Sequence, residues 1–209
     1  MYTLYYSPGS ASMVVHMALL ETRAPHELKL VNIEQGAQRD PAYLALNPRG
    51  VVPTLVIDGR ARHESAALLM MLADRHPASG LGRAPGTPER EALEEWLVYL
   101  SNTLMSTFRF WFYPPELGAS EHPPQVRAAL AAKIEGVWDY LDAELAARGP
   151  YLLGAECSAA DLLLAMLMRW SRNMPRPASQ WPALARLADL IRGRESWQRV
   201  YAIEGLSGW

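Results

Sequence analysis

Cysteine is nearly absent, with Cys157 alone among 209 residues. One thiol closes no disulfide within the chain, supplies no CxxC redox pair and is too few for a cysteine-ligated zinc site. It reads as small apolar filler near a helix start. Neither sign of charge dominates, because 20 Lys and Arg meet 22 Asp and Glu for a net charge of −2. No basic stripe argues for nucleic acid, and no excess of charge argues for a membrane surface. Long hydrophobic runs are missing too, so nothing approaches the length of a bilayer span. The chain opens on an extended pattern, without the basic region and apolar run of a secretory signal, and the expectation is a cytoplasmic protein. Its five histidines show no HxxxH or HExxH spacing, and no metal is expected.

What is present is a chain half hydrophobic and long enough for one domain or two modest ones, each with a core. Tyr5-Tyr6-Ser7-Pro8-Gly9-Ser10-Ala11-Ser12-Met13-Val14-Val15-His16 reads as a strand, a short loop and the start of a helix. The first turn of a helix has unpaired N–H groups and a partial positive charge, so an anion is stabilised there, and a serine hydroxyl can donate to it. The plainer alternative is that Ser10 or Ser12 caps the helix and Pro-Gly turns the chain.

The helix ends near Arg23-Ala24-Pro25, and Glu27 to Val31 alternates like a half-buried strand, giving a β-α-β start. Asp40-Pro41 opens a short helix that Asn47-Pro48-Arg49-Gly50 stops. Two strands follow, joined by the Asp58-Gly59 hairpin signal, with Pro53 expected at an edge or turn. Glu64-Ser65 then opens a helix that ends before Pro77. The first module is therefore β-α-β-α-β-β-α over residues 1–76, and the Gly-, Pro- and Ser-rich residues 77–87 read as a linker. Residues 88–209 read as almost entirely helical, with an apolar loop at Tyr151-Leu152-Leu153-Gly154. The expected segments are 91–111, 123–148, a segment from 159 to about 170 that is apolar nearly all round, 182–191 and 196–203. Ser158 and Asp161 form a variant capping box for the third of these.

The β-α-β-α-β-β-α module, the loop-to-helix serine, the Val52-Pro53 pair before a strand, the Glu64-Ser65 pair at a helix start and the helical remainder together resemble the cytosolic glutathione transferases. The resemblance covers essentially the whole chain, with a bacterial, serine-type, beta- and delta-like N-terminal motif. It implies an α/β thioredoxin-like glutathione-binding domain, an all-α substrate-binding domain and a homodimer. It also implies glutathione as co-substrate, no metal, and a small apolar electrophile bound between the domains.

The family's residues map onto this chain as follows from the motifs. Ser10, directly after Pro8-Gly9, matches the thiol-activating serine of delta-like classes. In the beta-class run the cysteine falls on Ala11 and the next hydroxyl on Ser12, which is the second candidate, with Tyr6 third. A cis Pro53 would turn the Val52 backbone toward the cysteinyl part of glutathione. Glu64 and Ser65 would hold the γ-glutamyl end, and Arg49 the glycine carboxylate. Asn102, Phe108 and Tyr113, with Trp170 and Asn173, would line the electrophile site, within an aromatic and methionine wall that also takes in Trp111 and Phe112. The implied activity is attack of glutathione thiolate on an electrophile. Alternatives are a glutathione-dependent peroxidase or disulfide reductase, or a non-catalytic ligand- or protein-binding module.

Overall fold

Strand β1 (Tyr2–Tyr6) is apolar on the face where Leu4 is wholly buried, and a fully buried leucine contributes ~1.5–3 kcal/mol. Its neighbours are β2 (His26–Leu30), parallel to it with Leu4 opposite Leu28, and β3 (Thr54–Ile57), antiparallel with Leu4 opposite Leu55. β4 (Arg60–Arg62) pairs with β3 and completes a sheet of order β2-β1-β3-β4. The computed structural model describes all residues, 1–209. Asp58 and Gly59 both have positive φ, 51° and 75°, as a two-residue hairpin turn requires.

Helix α1 (Met13–Glu21) crosses from β1 to β2 and is buried from Met13 to Leu19. The short α2 (Pro41–Leu44) has Pro at its first position, and α3 (Ser65–Arg75) follows β4 and packs on α1. This is the thioredoxin-like arrangement. Of the two places expected for Pro53, an edge or a turn, it takes the second: β3 lies inside the sheet, and Pro53 is in the bend that precedes it. It sits just ahead of Thr54, where its missing N–H leaves no gap in the ladder.

The remaining helices are α4 (Pro88–Tyr99), α5 (Ser106–Phe112), α6 (Pro124–Arg148), α7 (Ala159–Trp170), α8 (Pro182–Arg192) and α9 (Glu195–Glu204). α4 and α5 are joined by a π-helical stretch, Leu100–Met105, so the expected single α-helix over 91–111 widens in its middle. The Thr107 hydroxyl donates to the Thr103 carbonyl at 2.6 Å and that of Ser106 to the Asn102 carbonyl, engaging oxygens that the wider turn displaces. α7 is buried over eleven of its twelve residues. Buried Asp161 accepts from the Ser158 N–H, the Ser158 hydroxyl and the Leu152 N–H, each at 2.8 Å.

By its contacts the chain divides into two compact units, Met1–Pro85 with Arg192–Gly208, and Gly86–Ile191 with Trp209. α9 groups with the sheet and not with the other helices of residues 88–209, because Glu204 bonds to α1 and the loop before it, and Arg194, just ahead of α9, bonds to Glu21 at the end of α1.

Candidate functional site

The loop between β1 and α1 is built around one carbonyl. The oxygen of Ser7 accepts from the Ser10 N–H at 3.2 Å, the Ser10 hydroxyl at 2.7 Å and the Ser12 hydroxyl at 3.1 Å. Ser12 Oγ accepts in turn from the Ser7 N–H at 3.1 Å and lies 2.9 Å from Ser10 Oγ. Ser12 is completely buried, whereas Ser10 keeps exposed surface. Although Ser12 occupies the N-cap position of α1, its side chain turns back into the loop and caps nothing.

α3 starts the same way. Glu64 precedes it with φ 68° and no side-chain cap, and the Ser65 hydroxyl donates to the Ala11 carbonyl at 3.0 Å. That bond ties the start of α3 to the loop that carries Ser10. Two helix N-termini, neither capped by a side chain, therefore meet here, and each favours negative charge. Glu64 is ion-paired with Arg49, so these two candidates hold one another.

The Val52–Pro53 peptide is cis, as is Gly149–Pro150, which no motif had indicated. The segment before it is clamped: the Val51 carbonyl accepts from the Tyr43 hydroxyl and from Asn47 Nδ2, both at 2.7 Å. Tyr43 and Asn47 are buried. Burial, only partly offset by its bonds to Thr54 and Asn47, pushes the Tyr43 phenol up, so it serves as a donor. Nearby, His63 is held below its usual value first by burial and then by the Arg49 charge. Neither Tyr43 nor Asn47 was picked out from the sequence; the signal available was only a polar residue inside an otherwise apolar short helix and at its stop.

The Tyr6 ring lies 6.1 Å from that of His16, while Tyr5 turns to Tyr43 at 5.9 Å. Burial and then the Glu204 charge push the Tyr6 phenol up, the opposite of an activated base.

In the helical unit, Phe108, Phe112 and Trp170 form one aromatic cluster, with centroids 5.8 Å from Phe108 to each of the other two and 6.1 Å between those two. Phe108 has no exposed surface, which corrects its reading as a contact residue: it backs the cluster, and Phe112 presents the exposed ring. Exposed Tyr113 lies under the Arg109 guanidinium at 4.4 Å. Trp111 is buried with Arg127 stacked on it at 3.9 Å, and Asn102 and Asn173 are exposed outside the ring cluster. No group of three His, Cys, Asp or Glu side chains is arranged to hold a metal ion, and no helix is long and apolar enough to cross a membrane.

Residues 4–81 match the sequence family described as glutathione S-transferase, N-terminal domain. A glutathione S-transferase of Xanthomonas campestris is 28% identical over 98% of this chain and 99% of its own length. Among solved structures, a glutathione transferase of Methylococcus capsulatus superposes with a TM-score of 0.89 at 31% identity, over 99% of this chain and 100% of its own. A sphingomonad glutathione S-transferase complexed with glutathione gives a TM-score of 0.87 at 32% identity, over 98% and 100%.

Proposed function

The chain belongs to the glutathione S-transferase family and is a glutathione transferase, and from that premise we propose that Ser10 is the donor that holds the thiol of bound glutathione as a thiolate. A free thiol titrates near ~8.5, so only a few per cent is ionised at neutral pH. A hydroxyl donor at a helix N-terminus lowers that value without a general base. The observation that carries the reading is the Ser65–Ala11 hydrogen bond, which sets two uncapped helix starts beside Ser10, the one serine of the loop that keeps exposed surface.

In this reading Ser12 acts through Ser10. When Ser10 turns its proton toward the sulfur, Ser12 donates to the Ser10 oxygen across their 2.9 Å contact, and Ser10 remains a satisfied acceptor. Val52 offers main-chain groups to the cysteinyl part, in the manner of an added strand, beside Pro53. Glu64 and Ser65, with the amides of α3, receive the γ-glutamyl end, and Arg49, on leaving its pair with Glu64, serves the glycine carboxylate. The electrophile is a small, flat, apolar molecule taken against Phe112, Tyr113 and Trp170, flanked by Asn102 and Asn173. Residues 1–76, with α9 grouped on them, form the glutathione-binding domain and residues 88–191 the substrate-binding domain of a cytoplasmic homodimer.

The test is turnover with chloronitroaromatic, peroxide and disulfide substrates, for the parent protein and Ser10→Ala. Turnover of chloronitroaromatics that falls in the variant supports the reading. Turnover confined to peroxides or disulfides replaces it with a peroxidase or reductase, and binding of glutathione without any turnover replaces it with a ligand-binding module.

A further inference from the structure

Glu204, near the end of the chain, reaches the loop before α1. Its Oε2 accepts from the Gly9 N–H at 2.8 Å, across 195 residues of sequence. Gly9 sits at φ 65°, directly before Ser10, and Pro8 on its other side has no N–H to offer. The other carboxylate oxygen, Oε1, lies 2.8 Å from His16 Nδ1, and neither side chain has any exposed surface.

Several features separate this contact from ordinary packing. A carboxylate only accepts, so His16 Nδ1 carries the proton of the bond. His16 Nε2 is buried without a partner, and a second proton there would be an unpaired donor in the interior. The neutral imidazole with its proton on Nδ1 is therefore the form that fits. The groups around the pair are the Tyr6 ring and the His26 ring, 6.1 Å and 5.9 Å from the His16 ring. Neither gives Glu204 a hydrogen bond, so its bonds are those to Gly9 and His16. Both partners bracket the N-terminus of α1: Gly9 in the loop before it and His16 one turn inside it.

The other end of α9 is fastened independently. Arg194 donates to both oxygens of Glu21, at 2.7 and 2.8 Å, and Ser196 donates to the same carboxylate. Loss of the Glu204 contact thus leaves the helix attached by its first turn.

We propose that Glu204 is a positioning residue of the transferase: through the Gly9 N–H and His16 it holds the Ser7–Ser12 loop in the conformation that directs Ser10 at the thiol. A bond between an ionised acceptor and a backbone N–H is stronger than a neutral one, and a loop held this way needs no reorganisation when the thiolate forms. The proposal rests on the assignment of Ser10 above.

The experiment is a spectroscopic titration of the glutathione thiolate bound to the full chain, for the parent, Glu204→Ala, Glu204→Gln and Arg194→Ala. Glu204→Ala is expected to raise the thiol pKa by about one unit, which for a thiol held roughly two units below ~8.5 cuts the ionised fraction at pH 7 roughly threefold. Glu204→Gln should restore part of it, because the amide oxygen still accepts from Gly9, while an amide N–H facing His16 Nδ1 moves the ring proton to Nε2, where it has no partner. Arg194→Ala should lower thermal stability and leave the thiol pKa where it is. An unchanged pKa in Glu204→Ala overturns the proposal. So does a loss in Glu204→Gln as large as in Glu204→Ala, or a shift in Arg194→Ala equal to it. Should Glu204→Ala not fold, Glu204→Asp draws the carboxylate back by one methylene, and an unchanged pKa there is equally decisive. A parent that ionises no glutathione refutes the assignment of Ser10 instead, which keeps the two failures apart.

Discussion

The hydroxyl oxygens of Ser10 and Ser12 lie 2.9 Å apart, and only the first belongs to a residue with exposed surface. Between them they hold two protons, and both can reach the Ser7 carbonyl. A ligand sulfur can therefore draw on the Ser10 proton while Ser12 donates to the Ser10 oxygen and the Ser10 N–H still serves the Ser7 carbonyl.

The two serines are expected to differ accordingly. Ser10→Ala removes a charge-assisted donor worth ~1.5–3 kcal/mol, so kcat/KM should fall roughly 10- to 100-fold. Ser12→Ala removes bonds made inside the loop and should cost less turnover and more thermal stability. Steady-state kinetics paired with a melting curve for each variant checks both. A Ser12→Ala enzyme that is inactive beside an active Ser10→Ala enzyme reverses the roles.

Asn47 and Tyr43 place the Val51 carbonyl, and with it the main chain that leads into Val52. Asn47→Ala removes one neutral hydrogen bond of ~0.5–1.5 kcal/mol, so KM for glutathione should rise about 2- to 10-fold. Because nothing at Ser10 changes, kcat should stay close to that of the parent. Initial rates at varied glutathione separate the two constants.

Asp161 carries three donors in a wholly buried place. Asp161→Ala leaves the amides of Leu152 and Ser158 without an acceptor, at a cost of ~3–5 kcal/mol. For a chain of this length the melting temperature should drop by on the order of 10 °C. Asp161→Asn, which keeps one acceptor oxygen, should lose less. Calorimetry of both variants measures the difference.

Glu21 gives the acid limb of stability a defined shape. Burial alone would raise its pKa, but the bonds from Arg194 and Ser196 and the Arg194 charge outweigh it and hold the carboxyl below its ordinary 4.5. A depressed folded-state pKa means that the stabilisation is present above 4.5 and is lost as pH falls through the lower folded value. Glu21→Gln should therefore lose stability at neutral pH and show a flatter decline in acid. Denaturant midpoints measured from neutral pH down to about 3 test the sign.

The N-terminal fold is legible because its signals are local. Asp58-Gly59 demands a tight hairpin, Pro41 starts a helix, and the alternation around Leu4 and Leu28 sets two adjacent strands. The α7 cap is equally local, with Ser158 and Asp161 three residues apart. The illegible parts depend on groups far apart in the chain or on rotamers. Nothing in the pattern around Ser12 says that its hydroxyl turns back to Ser7 when a capping position lies open to it. The pairing of Arg49 with Glu64 spans two loops, and the bond from Gly9 to Glu204 spans nearly the whole chain. The π-helical turn at Leu100–Met105 keeps an apolar spacing close enough to that of an α-helix to be read as one.

The most direct measurement is the pH titration of the glutathione thiolate absorbance in the complex, compared between the parent and Ser10→Ala. The parent should titrate roughly two units below the ~8.5 of a free thiol, and the variant should return close to that value. A parent complex that titrates near 8.5, or a Ser10→Ala complex that keeps the lowered value, would contradict the assignment of Ser10.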